Sequence, residues 1–173
     1  IFTPNDIYDL TRDDKFTEYG QLDFIETITI TSSTNDATFS SIKQDIYNVH
    51  FLTWSCQPNT DTTQLLGRFY ENGVEETASV YQVANQYNTS GGTSNDGGRS
   101  NGINYFYYDN YWSGTASYER HNGYAYFYNL GDNTKYSYMT ANRTTTGYNS
   151  TEYVTGFCSS VLPQASTVDG FNI

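Results

Sequence analysis

The residues of this chain whose types could do chemistry are few and scattered. The only histidines are His50 and His121, and the only cysteines are Cys56 and Cys158. A zinc site needs three or four such ligands brought together, and these show no ligand spacing, so no metal is expected. Asp96, Asp109 and Asp132 sit in or beside Gly/Asn-rich turns. None of those turns has the alternating Asx spacing of a calcium loop, and turn formation accounts for the residues more simply. Glu26, Glu71, Glu119 and Glu152 fall on expected strands, where a carboxylate pair could cleave a glycosidic bond, although acids on strands usually face solvent. No GxSxG, HExxH, Walker or GxGxxG motif occurs. No catalytic residue or cofactor is assigned, and the chain reads as a binding protein rather than an enzyme.

The chemistry that remains is aromatic. Residues 103–139 hold a dense run of rings, broken at short intervals by turn formers. Exposed Tyr and Trp beside Asn, Asp and Gly could stack on sugar rings and bond their hydroxyls. The candidates are Tyr107, Tyr111 and Trp112, with Tyr124, Tyr126 and Tyr128 on one side of a strand and Ala125 and Phe127 on the other. Both sides of that strand are aromatic or apolar. The tyrosine row is therefore expected to be covered or to line a cavity, the alternative being an exposed stacking platform.

The elements that must position these residues are strands. Residues 22–31 show the clearest alternation, with Leu22, Phe24, Ile28 and Ile30 apolar. Weaker strand signals cover 37–43, 46–54, 103–109 and 115–120, with further strands over 124–130, 135–141 and 152–158. Residues 64–71 and 74–84 flank Asn72-Gly73, which suits a type I′ hairpin turn because both central residues need positive φ. A second hairpin turn is expected at Asn122-Gly123 and a turn at 131–133. Residues 87–102 carry no apolar residue beyond Tyr87 and read as a mobile surface loop, and 142–150 as a polar loop. Residues 4–16 hold the one helix-like pattern. Eight to ten short strands with tight turns argue an all-β antiparallel barrel or sandwich, formed by residues 1–173 as a single domain.

Composition sets further bounds. Eighteen Tyr and ten Phe dominate the 36% hydrophobic share, so the core is expected to be aromatic and to carry hydrogen bonds inside it. The net charge of −11 disfavours nucleic acid and anionic membranes as partners, and no 18-residue apolar span implies membrane insertion. Three acceptor sequons, at Asn88, Asn142 and Asn149, fall in expected loops. With two cysteines in a Tyr/Asn/Thr/Gly-rich chain, they fit a secreted glycoprotein with one disulfide, two free buried thiols being the alternative. Oligomers are compatible with this reading.

Tyr108-Asp109-Asn110-Tyr111 resembles part of the lipocalin signature Thr-Asp-Tyr-x-x-Tyr at the mouth of the barrel. Tyr108 and Tyr111 match its two tyrosines, while Phe106 and Tyr107 stand at the Thr and Asp positions. The resemblance implies a barrel, a Cys56–Cys158 tie between a mid-chain strand and the C-terminal segment, and a small apolar ligand in an aromatic-lined interior. The rival readings are a glycan-binding or surface-interaction sandwich and a structural subunit of an extracellular assembly.

Overall fold

A computed structural model describes Thr3, Asn5, Tyr8, Asp9 and residues 22–92, 95–148 and 152–173. The strands, in chain order, are β1 (Thr38–Phe39), β2 (Val49–Cys56), β3 (Thr63–Gly67), β4 (Phe69–Glu71), β5 (Val74–Glu75) and β6 (Tyr81–Thr89). Then come β7 (Asn95–Ile103), β8 (Phe106–Ser113), β9 (His121–Tyr128), β10 (Tyr136–Thr146), β11 (Tyr153–Ala165) and β12 (Gly170–Asn172). The helix expected over 4–16 falls almost wholly outside the described residues.

One layer is a six-stranded antiparallel sheet in the order β2-β9-β10-β11-β6-β7. Against its inner face lie a four-stranded sheet, β1-β12-β4-β5, and the pair β3-β8. The sheets remain open at their edges, so the fold is a sandwich and not the closed barrel of the lipocalin expectation. Alternation drives this division. Along β10, Ser137, Met139, Ala141, Arg143 and Thr145 are buried, while Tyr136, Tyr138, Thr140 and Asn142 are exposed. Phe127 from β9 stacks on Phe171 from β12 at 4.3 Å and touches Phe69, Phe106 and Tyr108 edge-on. Burying one such ring contributes about 1.5–3 kcal/mol. Buried Tyr hydroxyls find partners: Tyr81 Oη accepts from Phe69 N at 2.9 Å, and Tyr108 Oη donates to the Asn172 carbonyl at 3.0 Å.

The Asn72-Gly73 turn forms as expected, with φ of 54° and 72° closing the β4–β5 hairpin. Other expectations are corrected. Residues 87–102 are not a loop, because most of them pair as β6 and β7 from Asn88↔Asn95 to Tyr81↔Ile103. β7 is an edge strand, so backbone pairing holds it without an apolar stripe. Asn122-Gly123 lies inside β9 and makes no hairpin turn. Asn88 and Asn142 lie in β6 and β10, not in loops, and Asn149 falls outside the described residues. Residues 22–31 make no ladder with another described residue.

The expected disulfide is also corrected: Cys56 and Cys158 are both free. β9 and β10 stand between β2 and β11, which sets those strands about 14 Å apart at ~4.8 Å per step. A disulfide needs Cα atoms within roughly 7 Å.

Candidate functional site

The aromatic residues singled out in the sequence divide among different surfaces. Tyr124, Tyr126 and Tyr128 stand together on the outer face of β9, turned away from the core. Tyr124 and Tyr126 are 40% and 37% exposed, and Tyr128 is half-buried. The expectation that this row is covered is therefore corrected. Ala125 and Phe127, on the other side, face the core and are fully buried, which is why both faces of the strand read as apolar.

Register builds the site outward from that row. Phe51 on β2 lies opposite Tyr126, with ring centroids 4.9 Å apart, and 5.9 Å from Tyr124. Tyr126 and Tyr128 are near-parallel, 28° apart, at 6.4 Å. On β10, Tyr138 lies opposite Tyr128, Thr140 opposite Tyr126 and Asn142 opposite Tyr124. Phe157 on β11 flanks Asn142 from the other side. The outer face is thus a field of rings on β2, β9 and β10, with an amide and a hydroxyl between them and Phe157 beyond. Sheet geometry fixes it, because side chains two apart share a face and neighbouring strands align them within about 5 Å.

Tyr107, Tyr111 and Trp112 belong to β8 in the opposite layer and do not join this face. Tyr107 is half-buried, with its hydroxyl 3.3 Å from that of Tyr105. Tyr111 packs edge-on against Tyr87 at 5.0 Å, under the guanidinium of Arg143. Trp112 is 57% exposed, apart from the others.

A cleft of about 530 Å³ opens along the free edge of β2, walled by residues 22–28, Phe39, Ile42, Tyr47 and Phe171. None of the six aromatic residues proposed from sequence lines it. Tyr47 donates a hydrogen bond to Asp23 across its mouth.

Sequence reasoning missed a buried polar cluster at one end of the sandwich. Asp109 is fully buried and takes three partners: Arg143 Nη1 at 3.0 Å from Oδ1, Tyr111 N donating to Oδ1 at 2.9 Å, and His121 Nδ1 donating to Oδ2 at 2.7 Å. Arg143 Nη2 donates to Asn110 Oδ1 at 2.7 Å, and Asn110 Nδ2 to Asn85 Oδ1 at 3.0 Å. A bulge at Tyr108 makes this arrangement possible. Asp109 and Tyr107 pair with the consecutive residues Leu65 and Leu66, so the extra residue lets neighbours Tyr108 and Asp109 both be buried. The cross-strand partners of Arg143 are Gly123 and Gly156. A Cβ at Gly123 would meet Trp54 at 2.5 Å, and one at Gly156 would meet Tyr87 at 2.8 Å. The two glycines leave room for the Asn142 and Gln86 carbonyls and for Trp54 and Tyr87 on the neighbouring strands. The Gly-flanked register was the signal in the sequence, but it is visible only once the strands are paired.

Burial pushes the Cys158 thiol up to about 12 and the Cys56 thiol up to about 11. Neither is a ready nucleophile. Comparison with protein-family models, curated proteins and solved structures found no match.

Proposed function

We propose that the protein is a secreted binding module that takes glycans on the outer face of its six-stranded sheet. The observation that carries this reading is the Phe51–Tyr124–Tyr126–Tyr128 ring field, exposed beside Thr140 and Asn142. A pyranose ring presents C–H groups on its flat side, which suit the electron-rich face of a phenol. Its hydroxyls suit an amide, a threonine or a tyrosine hydroxyl at the rim. The net charge of −11 disfavours sulfated and uronic glycans and favours neutral or amino sugars. A carrier of a small apolar ligand would need an enclosed lumen, whereas this face is open. Binding to immobilised neutral and amino polysaccharides tests the proposal. The chain made without N-glycosylation should be retained, and Phe51→Ala with Tyr126→Ala should release it while Trp112→Ala should not. Absence of retention on every such glycan overturns the reading.

A second reading, of assembly between copies, has its own observation. Residues 22–31 alternate apolar and polar, leave Leu22 80% and Phe24 77% exposed, and make no backbone ladder with another described residue. Beside them β2, VHFLTWSC, the edge strand of its sheet among the described residues, carries no Lys, Pro or acid, the protections an edge strand usually has. A second copy's segment adding to that edge would satisfy both. Native mass spectrometry across concentration tests it: a chain that stays monomeric, with Phe24→Asp changing nothing, removes this reading.

A further inference from the structure

The sequon Asn142-Arg143-Thr144 lies at the edge of the ring field, where Asn142 stands between Tyr124 and Phe157. Strand alternation turns Asn142 and Thr144 outward and Arg143 into the core, so Asn142 is exposed while Arg143 is buried. An N-linked glycan at this position would leave every core contact intact. Its surroundings are unusual for an acceptor. The cross-strand partners of Asn142 are Tyr124 on one side and Phe157 on the other, and both rings are exposed, at 40% and 51%. Side chains directly opposite one another on paired strands lie about 5 Å apart, close to the width of one sugar ring. The first sugar on Asn142 would therefore rise between two rings and rest its flat side against one of them.

We propose that Asn142 is a glycan acceptor and that its glycan lies on the aromatic face and shields it from outside ligands. The shielding rests on the reading of this face as a glycan-binding surface. In the transfer, the amide nitrogen of Asn142 attacks the anomeric carbon of a lipid-pyrophosphate-linked oligosaccharide. The N–C1 bond forms and the C1–O bond breaks. The lipid pyrophosphate leaves with the bonding electrons, and the amide proton passes to a base of the transferase. Asn88 supplies an internal comparison. It also faces outward, from β6, but its partners are Thr155 and Asn95, with no ring directly opposite, so a glycan there would not stack in this way. The unglycosylated chain would present an open face and the chain glycosylated at Asn142 a closed one, so occupancy of a single side chain sets the binding state.

The experiment is secretion of the full chain from a glycosylating eukaryotic host, beside Asn142→Gln, Thr144→Ala and Asn88→Gln. Two variants remove the Asn142 sequon by different residues, so a local defect in one does not decide the result. Glycopeptide mapping should find sugar on Asn142 in the parent chain; an unmodified Asn142 overturns the proposal. Tyrosine nitration, read by peptide mass, should be slow at Tyr124 in the glycosylated parent and fast in N142Q and T144A, with N88Q like the parent. Equal nitration in all four overturns the shielding. Retention on polysaccharide should strengthen by about tenfold or more in N142Q and T144A. If those variants bind no polysaccharide although Tyr124 becomes unprotected, the glycan-binding function falls while the covering of the face by the protein's own glycan stands.

Discussion

Asp109 and Arg143 meet across the two layers of the sandwich, Oδ1 to Nη1 at 3.0 Å, with neither side chain exposed to solvent. One comes from β8 and the other from β10, so the ion pair ties the opposing sheets together. Each takes further hydrogen bonds, Asp109 from His121 and Tyr111 N, and Arg143 through Nη2 to Asn110. Removing one member strands the others without solvent. Asp109→Ala is expected to cost about 3–5 kcal/mol in urea denaturation. Replacing Asp109 and Arg143 together by apolar residues of similar size should cost less than the single change, since no uncompensated charge remains.

Two adjacent residues on β9 should behave as opposites. Tyr126→Ala removes an outward ring and is expected to shift stability by less than about 1 kcal/mol. Phe127→Ala empties a fully buried site stacked on Phe171 and should cost about 3–5 kcal/mol. Thermal unfolding of the two variants beside the parent checks this; similar losses would mean that the outer face is covered after all.

The two thiols should resist alkylation in the folded protein. Burial disfavours the thiolate, raising Cys158 to about 12 and Cys56 to about 11 from an ordinary value of 9.0. Iodoacetamide at pH 8 is expected to label both only after denaturation. The same shifts act on stability. Their contribution is complete below pH 9 and declines as pH rises toward 12, because the unfolded chain ionises first. Tyr81 and Tyr108, also raised by burial, add to the alkaline loss. Urea midpoints from pH 8 to 11 should fall, and less steeply when both cysteines are alanine.

At the acid end the residue to watch is His50. Burial holds its pKa below 6.5, against the opposing pull of the Ile42 carbonyl 2.7 Å from Nε2. A depressed histidine contributes stability that is present above 6.5 and lost as pH falls through the lower folded value. An imidazole titration by NMR should place the His50 midpoint below 6.5. A midpoint above it would contradict the burial.

The sequence made some elements legible for plain reasons. Asn72-Gly73 was readable because a type I′ turn needs two positive φ angles and few residue pairs supply them. Asn122-Gly123 has the same letters but sits mid-strand, where a side chain at Gly123 would meet the Asn142 carbonyl and the Trp54 ring. β7 was illegible because an edge strand needs only backbone pairing. Residues 22–31 read as the best strand yet make no ladder among the described residues, since alternation reports a wish for an apolar face and not the presence of a neighbour. The all-β class followed from turns and alternation. The Asp109 cluster did not, because its members are spread from β6 to β10 and come together only through strand pairing and the β8 bulge. For the tyrosine row of β9, alternation could identify two faces but not say which looked inward. Phe127 decides it through contacts with rings remote in sequence.

The last strand holds a central place. β12 lies between β1 and β4, and the Asn172 side chain accepts from Arg68 N, 104 positions earlier. That sheet cannot close until the chain has been made through residue 172. Pairings of such long range carry a high entropic cost in the transition state, which slows folding into the millisecond-to-second regime of sandwiches. During that interval the uncharged edge of β2 stands open. Refolding yield should therefore drop steeply with protein concentration, and a chain lacking residues 170–173 should accumulate as aggregate rather than as a loosened native fold.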